Sequence, residues 1–267
     1  MTRIETKLRT AVAARPQDRF DRLDALRAVA VVWMVVFHFC FDLNHFRLMT
    51  PPQRFLSDPF WTMQRTAIVS LFMVCAGLSQ AVALSAGLGW PRFWRRWGQV
   101  AGCAVLVSAG SAFMFPENWI SFGVLHGLAV MLLLLRLVVP PLLRRWAGGS
   151  WQMQALLWGT GALALLAPRF AASEVFNGRW GNWTGLVTQL PFTQDYVPVL
   201  PWLAPVLWGL ALGLWLLAHR RSWLTAPVPW ARLGQRLAVV GRWSLSIYMV
   251  HQPVLMGLLA AWVQLRG

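Results

Sequence analysis

Long apolar runs alternating with short basic segments set the pattern of this chain. A run of roughly 20 apolar residues crosses about 30 Å of hydrocarbon. Hydropathy predicts about seven such spans, at 23–43, 61–88, 98–115, 120–139, 153–168, 201–218 and 244–263. Helix punctuation falls where spans should end: Gly87 and Gly89 before Pro91, Pro116 after the third, and Pro140-Pro141 after the fourth. The fifth is the weakest, diluted by Gly159 and Gly161 and cut by Pro168. The expected fold is all-α, a polytopic membrane helix bundle, with a basic segment at 1–22 and one transmembrane domain at 23–267.

Composition agrees. The chain is 57% hydrophobic and 12% charged, with 18 Trp and 15 Phe, whereas soluble domains carry about 25% charge. A net charge of +15 would suggest nucleic acid in a soluble protein. Here the basic residues cluster between apolar spans, where the positive-inside rule explains them, so no nucleic-acid partner is expected. Placing the N-terminus in the cytoplasm leaves only Arg47, Arg54, Arg65, Arg169, Arg179 and Arg266, of 24 basic residues, on the other side. With seven spans the C-terminus is then outside. Residues 1–22 show no apolar core of a cleavable signal. Cys40, Cys75 and Cys103 all lie in apolar runs without metal-ligand spacing and read as small buried hydrophobes.

Polar groups inside such spans are costly unless they meet a partner, water or substrate. Arg27 and His38 stand eleven residues apart and Asp42 one turn further, so all three share a face of the first helix. His38 falls in the outer third, and Asp42 could orient its imidazole for acid–base work. A structural bond to a neighbouring helix is the plainer role. His45, just outside, could act instead or simply be solvated. Arg27 is a fork suited to phosphate, although Asp24 three residues earlier could be its local ion-pair partner.

His126, in the fourth span, is expected in the outer third as well, with Glu117 and Asn118 at the mouth of that span. These groups match no metal motif, and no metal is expected. His251, followed by Gln252 and Pro253, is expected near the inner end of the last span. There it would make a helix–helix bond or line a passage from the cytoplasmic face. The loop 169–200, rich in Trp, Asn and Gly, suits an interfacial belt or a sugar platform. Gly123 with Gly127, and Gly209 with Gly213, would let helices approach closely.

An Arg at the cytoplasmic end and a His about 16 Å further along the helix suit a long donor. Its phosphates would stay inside while its reactive end reaches the other leaflet, a shape that acetyl-CoA has. A proton-coupled transporter of a small solute could use His38 and Asp42 as a relay, and a non-catalytic partner subunit is a further alternative.

Several segments carry a resemblance. Asp24-Ala25-Leu26-Arg27-Ala28-Val29-Ala30 with His38-Phe39-Cys40-Phe41-Asp42-Leu43-Asn44 is similar to the opening of a bacterial family. That family is related to the catalytic domain of heparan-alpha-glucosaminide N-acetyltransferase. Leu71–Ser79, Phe122-Gly123-Val124-Leu125-His126, Asp195–Trp202 and Ser244–Pro253 follow in the family's order.

The resemblance implies a multi-pass acetyl-CoA-dependent acyltransferase of the bacterial inner membrane, within the wider transmembrane acyltransferase group. Its partners would be an acyl-CoA donor, a sugar, glycan or lipid-linked acceptor on the outer face, and membrane lipids; a homodimer is compatible with it. His38, Asp42, His45 and His126 are the catalytic candidates, and Arg27, Asp24 and His251 the donor-binding ones. In the animal glucosamine enzyme the acetyl-handling His lies in the outer loop, a region represented here by His45. This chain also has fewer spans.

Overall fold

The computed structural model describes residues 20–228 and 231–266; most of the basic segment 1–22 lies outside the described residues. It is all-α. The helices are α1 (Asp21–His45), α2 (Pro59–Ser85), α3 (Trp90–Met114), α4 (Val124–Arg145), α5 (Trp151–Ala171), α6 (Val199–His219), α7 (Arg221–Thr225), α8 (Ala231–Arg242) and α9 (Ser244–Arg266). Short 3-10 turns occur at Glu174–Phe176 and Asn182–Thr184.

Among the described residues six helices are long and apolar enough to cross a membrane: α1, α2, α3, α4, α6 and α9. The segment expected as the fifth span does form a helix, α5, of 21 residues. It falls outside that set because Gln152, Gln154, Gly159 and Gly161 lower its hydropathy.

Two helix ends differ from expectation. Helix α3 starts at Trp90 rather than at 98, with Pro91 in its first turn, where a missing N–H costs nothing. Arg92, Arg95 and Arg96 therefore ride on a helix. Helix α4 runs through Pro140 and Pro141 to Arg145 instead of stopping there. Proline φ is helical, and each ring removes one ladder bond without forbidding the next turn. Helix α2 ends as expected: Gly87 takes φ 64°, Leu88 N–H donates to Ala83 O at 3.1 Å and Gly87 N–H to Leu84 O at 3.0 Å. These two bonds form a Schellman cap.

Two compact units organise the chain. The first comprises Asp21–Phe72 and Pro227–Gly267. In it α1 packs against α8 and α9. One stripe of α1, with Val29, Val32, Val36 and Phe39, is exposed and suited to lipid, whereas Leu23, Ala28, Val31, Met34, Phe37 and Asp42 are buried. Val31, Met34 and Phe37 share a core with Phe55 and Ile68, edged by Trp61, Val240, Ile247 and Tyr248. The loop after α1 is tied down: Asn44 Nδ2 donates to Gln53 O at 3.0 Å and Gln53 N–H to Asn44 Oδ1 at 2.7 Å. Phe55 then stacks on Trp61 at 4.0 Å. Gly241 lets α8 lie directly against the Asp24 carbonyl of α1; a Cβ there would collide with it.

The second unit spans Met73–Ala226 and is centred on α6, whose Ala204, Val206, Leu210 and Ala211 are fully buried. Gly77 of α2 and Gly209 of α6 sit at their crossing, each facing backbone of the other helix. Helices α5 and α4 also pack on α6.

Candidate functional site

In the first unit, α1 and α9 bring four polar residues together. The His38 and His251 rings meet at 5.0 Å between centroids, tilted by 60°. One turn along, Gln252 Nε2 donates to Asp42 Oδ1 at 2.8 Å. His251 Nδ1 lies 2.7 Å from Tyr248 O. A carbonyl only accepts, so Nδ1 carries the proton and, in the neutral ring, Nε2 keeps its lone pair.

These groups are buried and incompletely bonded. Asp42 is 0% exposed and His251 9%. His38 Nδ1, His251 Nε2, Asp42 Oδ2 and Gln252 Oε1 have no hydrogen-bond partner among the described residues. Each unmet buried group costs about 1–3 kcal/mol, so four such groups on neighbouring residues of α1 and α9 make this a candidate place for another molecule's polar atoms. The arrangement holds a lone pair and a carboxylate oxygen able to take a proton, with an imidazole beside them.

This geometry changes two expectations. Asp42 bonds Gln252, and no bond from Asp42 to His38 is made among the described residues. His251 lies level with His38 rather than nearer the opposite end of the bundle, as the sequence suggests. The cause is α8: by seating Gly241 on Asp24 it occupies the stretch beside the first turns of α1, so α9 begins alongside the middle of α1. Gln252 joins the cluster although it is not among the candidates expected from the sequence. An amide in an apolar span was the available signal.

The other candidates lie elsewhere. His45 is exposed at the end of α1, its ring edge-on to Phe46 at 5.3 Å. Arg27 pairs with Asp24 at 2.6 Å, and Arg242 acts electrostatically on the same carboxylate.

His126 belongs to the second unit, where both its ring nitrogens are engaged. Nδ1 accepts from Gly123 N–H at 3.3 Å, and Nε2 stands 3.1 Å from Ser108 Oγ, which donates to Ile120 O at 2.7 Å. Nε2 therefore carries the proton in the neutral ring. Nearby, Asp195 Oδ2 caps α4 by accepting Val124 N–H at 2.8 Å, and Tyr196 donates to Asn182 O at 2.6 Å. Burial pushes the Tyr196 hydroxyl up to about 12. Glu117, Trp119, Ser121, Arg179 and Asn182 line a cavity of about 220 Å³ in this loop region, with Arg179 stacked 5.2 Å over Trp119.

No curated protein and no solved structure matches the chain. A family does: residues 19–253 match heparan-alpha-glucosaminide N-acetyltransferase, catalytic. That match takes in α1 with His38 and Asp42, and runs to the turn of α9 that carries His251 and Gln252. The chain therefore belongs to the family related to the heparan-alpha-glucosaminide N-acetyltransferase catalytic domain.

Proposed function

We propose that this protein is a membrane acyltransferase. It would move an acetyl group from cytoplasmic acetyl-CoA to a hydroxyl or amine of a sugar, glycan or lipid-linked sugar on the outer face of the bacterial inner membrane. The observation that carries the reading is the buried His38–His251 pair beside Asp42 and Gln252, with four unmet polar atoms, in a chain of an acetyltransferase-related family.

In this reading His38 is the general base. It takes the proton from the acceptor O–H or N–H as the new bond to the acetyl carbon forms; the C–S bond breaks and the thiolate leaves toward the donor side. The His251 ring packs against His38 and holds it in place, and Gln252 positions the Asp42 carboxylate, whose charge favours the imidazolium that forms. Arg27, about 16 Å of helix rise before His38, and its partner Asp24 belong to the donor's phosphate end, with the N-terminus cytoplasmic. His126 keeps the mouth of α4 in shape, and His45 lies outside the buried cluster. The cavity holding Glu117, Trp119 and Arg179 offers hydroxyl partners and an aromatic face of the kind a sugar uses.

The test uses the purified full chain in liposomes with labelled acetyl-CoA and a panel of sugar acceptors. The reading expects acceptor-dependent acetyl transfer that is lost in His38→Ala. Absence of both transfer and thioester hydrolysis, together with pH-driven solute uptake abolished by Asp42→Asn, would replace it with a transporter.

A further inference from the structure

In the second unit, the ends of α2 and α4 enclose a groove that the acyl-transfer reading does not use. It measures about 470 Å³ and is lined by Leu84, Leu88, Arg136, Pro140, Leu143 and Arg144. We infer that this groove binds one anionic phospholipid, its phosphodiester between Arg136 and Arg144 and its acyl chains along the leucine wall.

Three observations argue for that occupant. The first is charge. Neither segment bordering the groove, 84–98 or 133–150, contains an Asp or Glu. Arg136 is held in place: Nη2 donates to Leu88 O at 2.7 Å, and its guanidinium lies 4.9 Å over Trp90. Its Nε is buried without a hydrogen-bond partner among the described residues. Arg144 is exposed at the groove's end. Two guanidinium groups lining one concavity offer a phosphate its usual partners.

The second observation is the wall, built almost wholly of Leu, Pro and Gly. It offers fatty chains a surface, and no Asn, Gln, Ser or Thr among its lining residues is there to meet a nucleotide base. The third is level. Trp90 and Trp94 flank the groove, 43% and 45% exposed, and partly exposed Trp marks the headgroup depth of a bilayer. Leu137, in the groove wall, is 54% exposed and continues the apolar surface toward hydrocarbon. Basic pockets between helices at this depth take anionic headgroups.

Native mass spectrometry of the full chain, extracted in mild detergent with added phosphatidylglycerol or phosphatidylcholine, tests this. Wild-type protein should retain one phosphatidylglycerol in preference to phosphatidylcholine. Arg144→Glu should lower that retention by at least about fivefold, whereas Arg169→Glu, at the end of α5, should not. Equal retention of the two lipids, or equal retention by Arg144→Glu and wild type, overturns the inference. So does displacement of the lipid by coenzyme A, which would make the groove a donor site. Arg144 is exposed, so its variant should fold; circular dichroism equal to wild type confirms that a loss is local.

Discussion

Asp42 is fully buried, and among the described residues its side chain is held by one hydrogen bond, from Gln252. Gln252→Ala removes that bond and leaves a buried carboxylate uncompensated, at a cost of about 1–3 kcal/mol or more. The expected result is a lower Tm in detergent; an unchanged Tm would show that Asp42 does not depend on Gln252. Part of this cluster was legible in the sequence. His38 and Asp42 lie on one helix, and the 3.6-residue period puts them on one face. Their mates His251 and Gln252 lie on α9, and hydropathy carries no information about which turn of one helix meets which turn of another. The partnership of Arg27 with Asp24 was legible because both residues sit on the same helix three positions apart.

Among the elements, α8 sets the register. It is short and amphipathic, so hydropathy does not reveal it, and the level of His251 depends on it. Gly241→Ala drives a methyl group into the Asp24 carbonyl and should destabilise the chain by about 1–3 kcal/mol. Because α8 fixes where α9 starts, the same change should lower acetyl transfer; a variant with wild-type Tm and rate would remove α8 from this role.

The loop elements give a pH prediction. The Tyr196 hydroxyl, which donates to Asn182 O, is raised from the usual 10.0 to about 12 by burial. Its contribution is therefore fully present below pH 10 and lost as pH rises through about 12. Tyr196→Phe should show a flatter fall of Tm over that interval than wild type, and an identical fall would contradict the assignment. Helix ends were less legible than helix existence. Proline reads as a stop, yet α4 passes through Pro140 and Pro141, because proline φ suits a helix and each ring removes only one ladder bond.

At the scale of the whole molecule, the apolar runs announced a polytopic all-α protein, and family membership spans residues 19–253. Both follow from bulk hydropathy and ordered motifs, which survive without knowledge of packing. The chemistry lies at a finer level, in which histidine faces the acyl group. The measurement that addresses this most directly is the kcat/KM for acetyl transfer from acetyl-CoA by wild type, His38→Ala and His45→Ala, each verified as folded. His38→Ala should lose about 10²–10⁴-fold, while the exposed His45→Ala stays within a few-fold of wild type. Loss of activity in His45→Ala with His38→Ala unimpaired would contradict the account and move the reaction to the loop beyond α1.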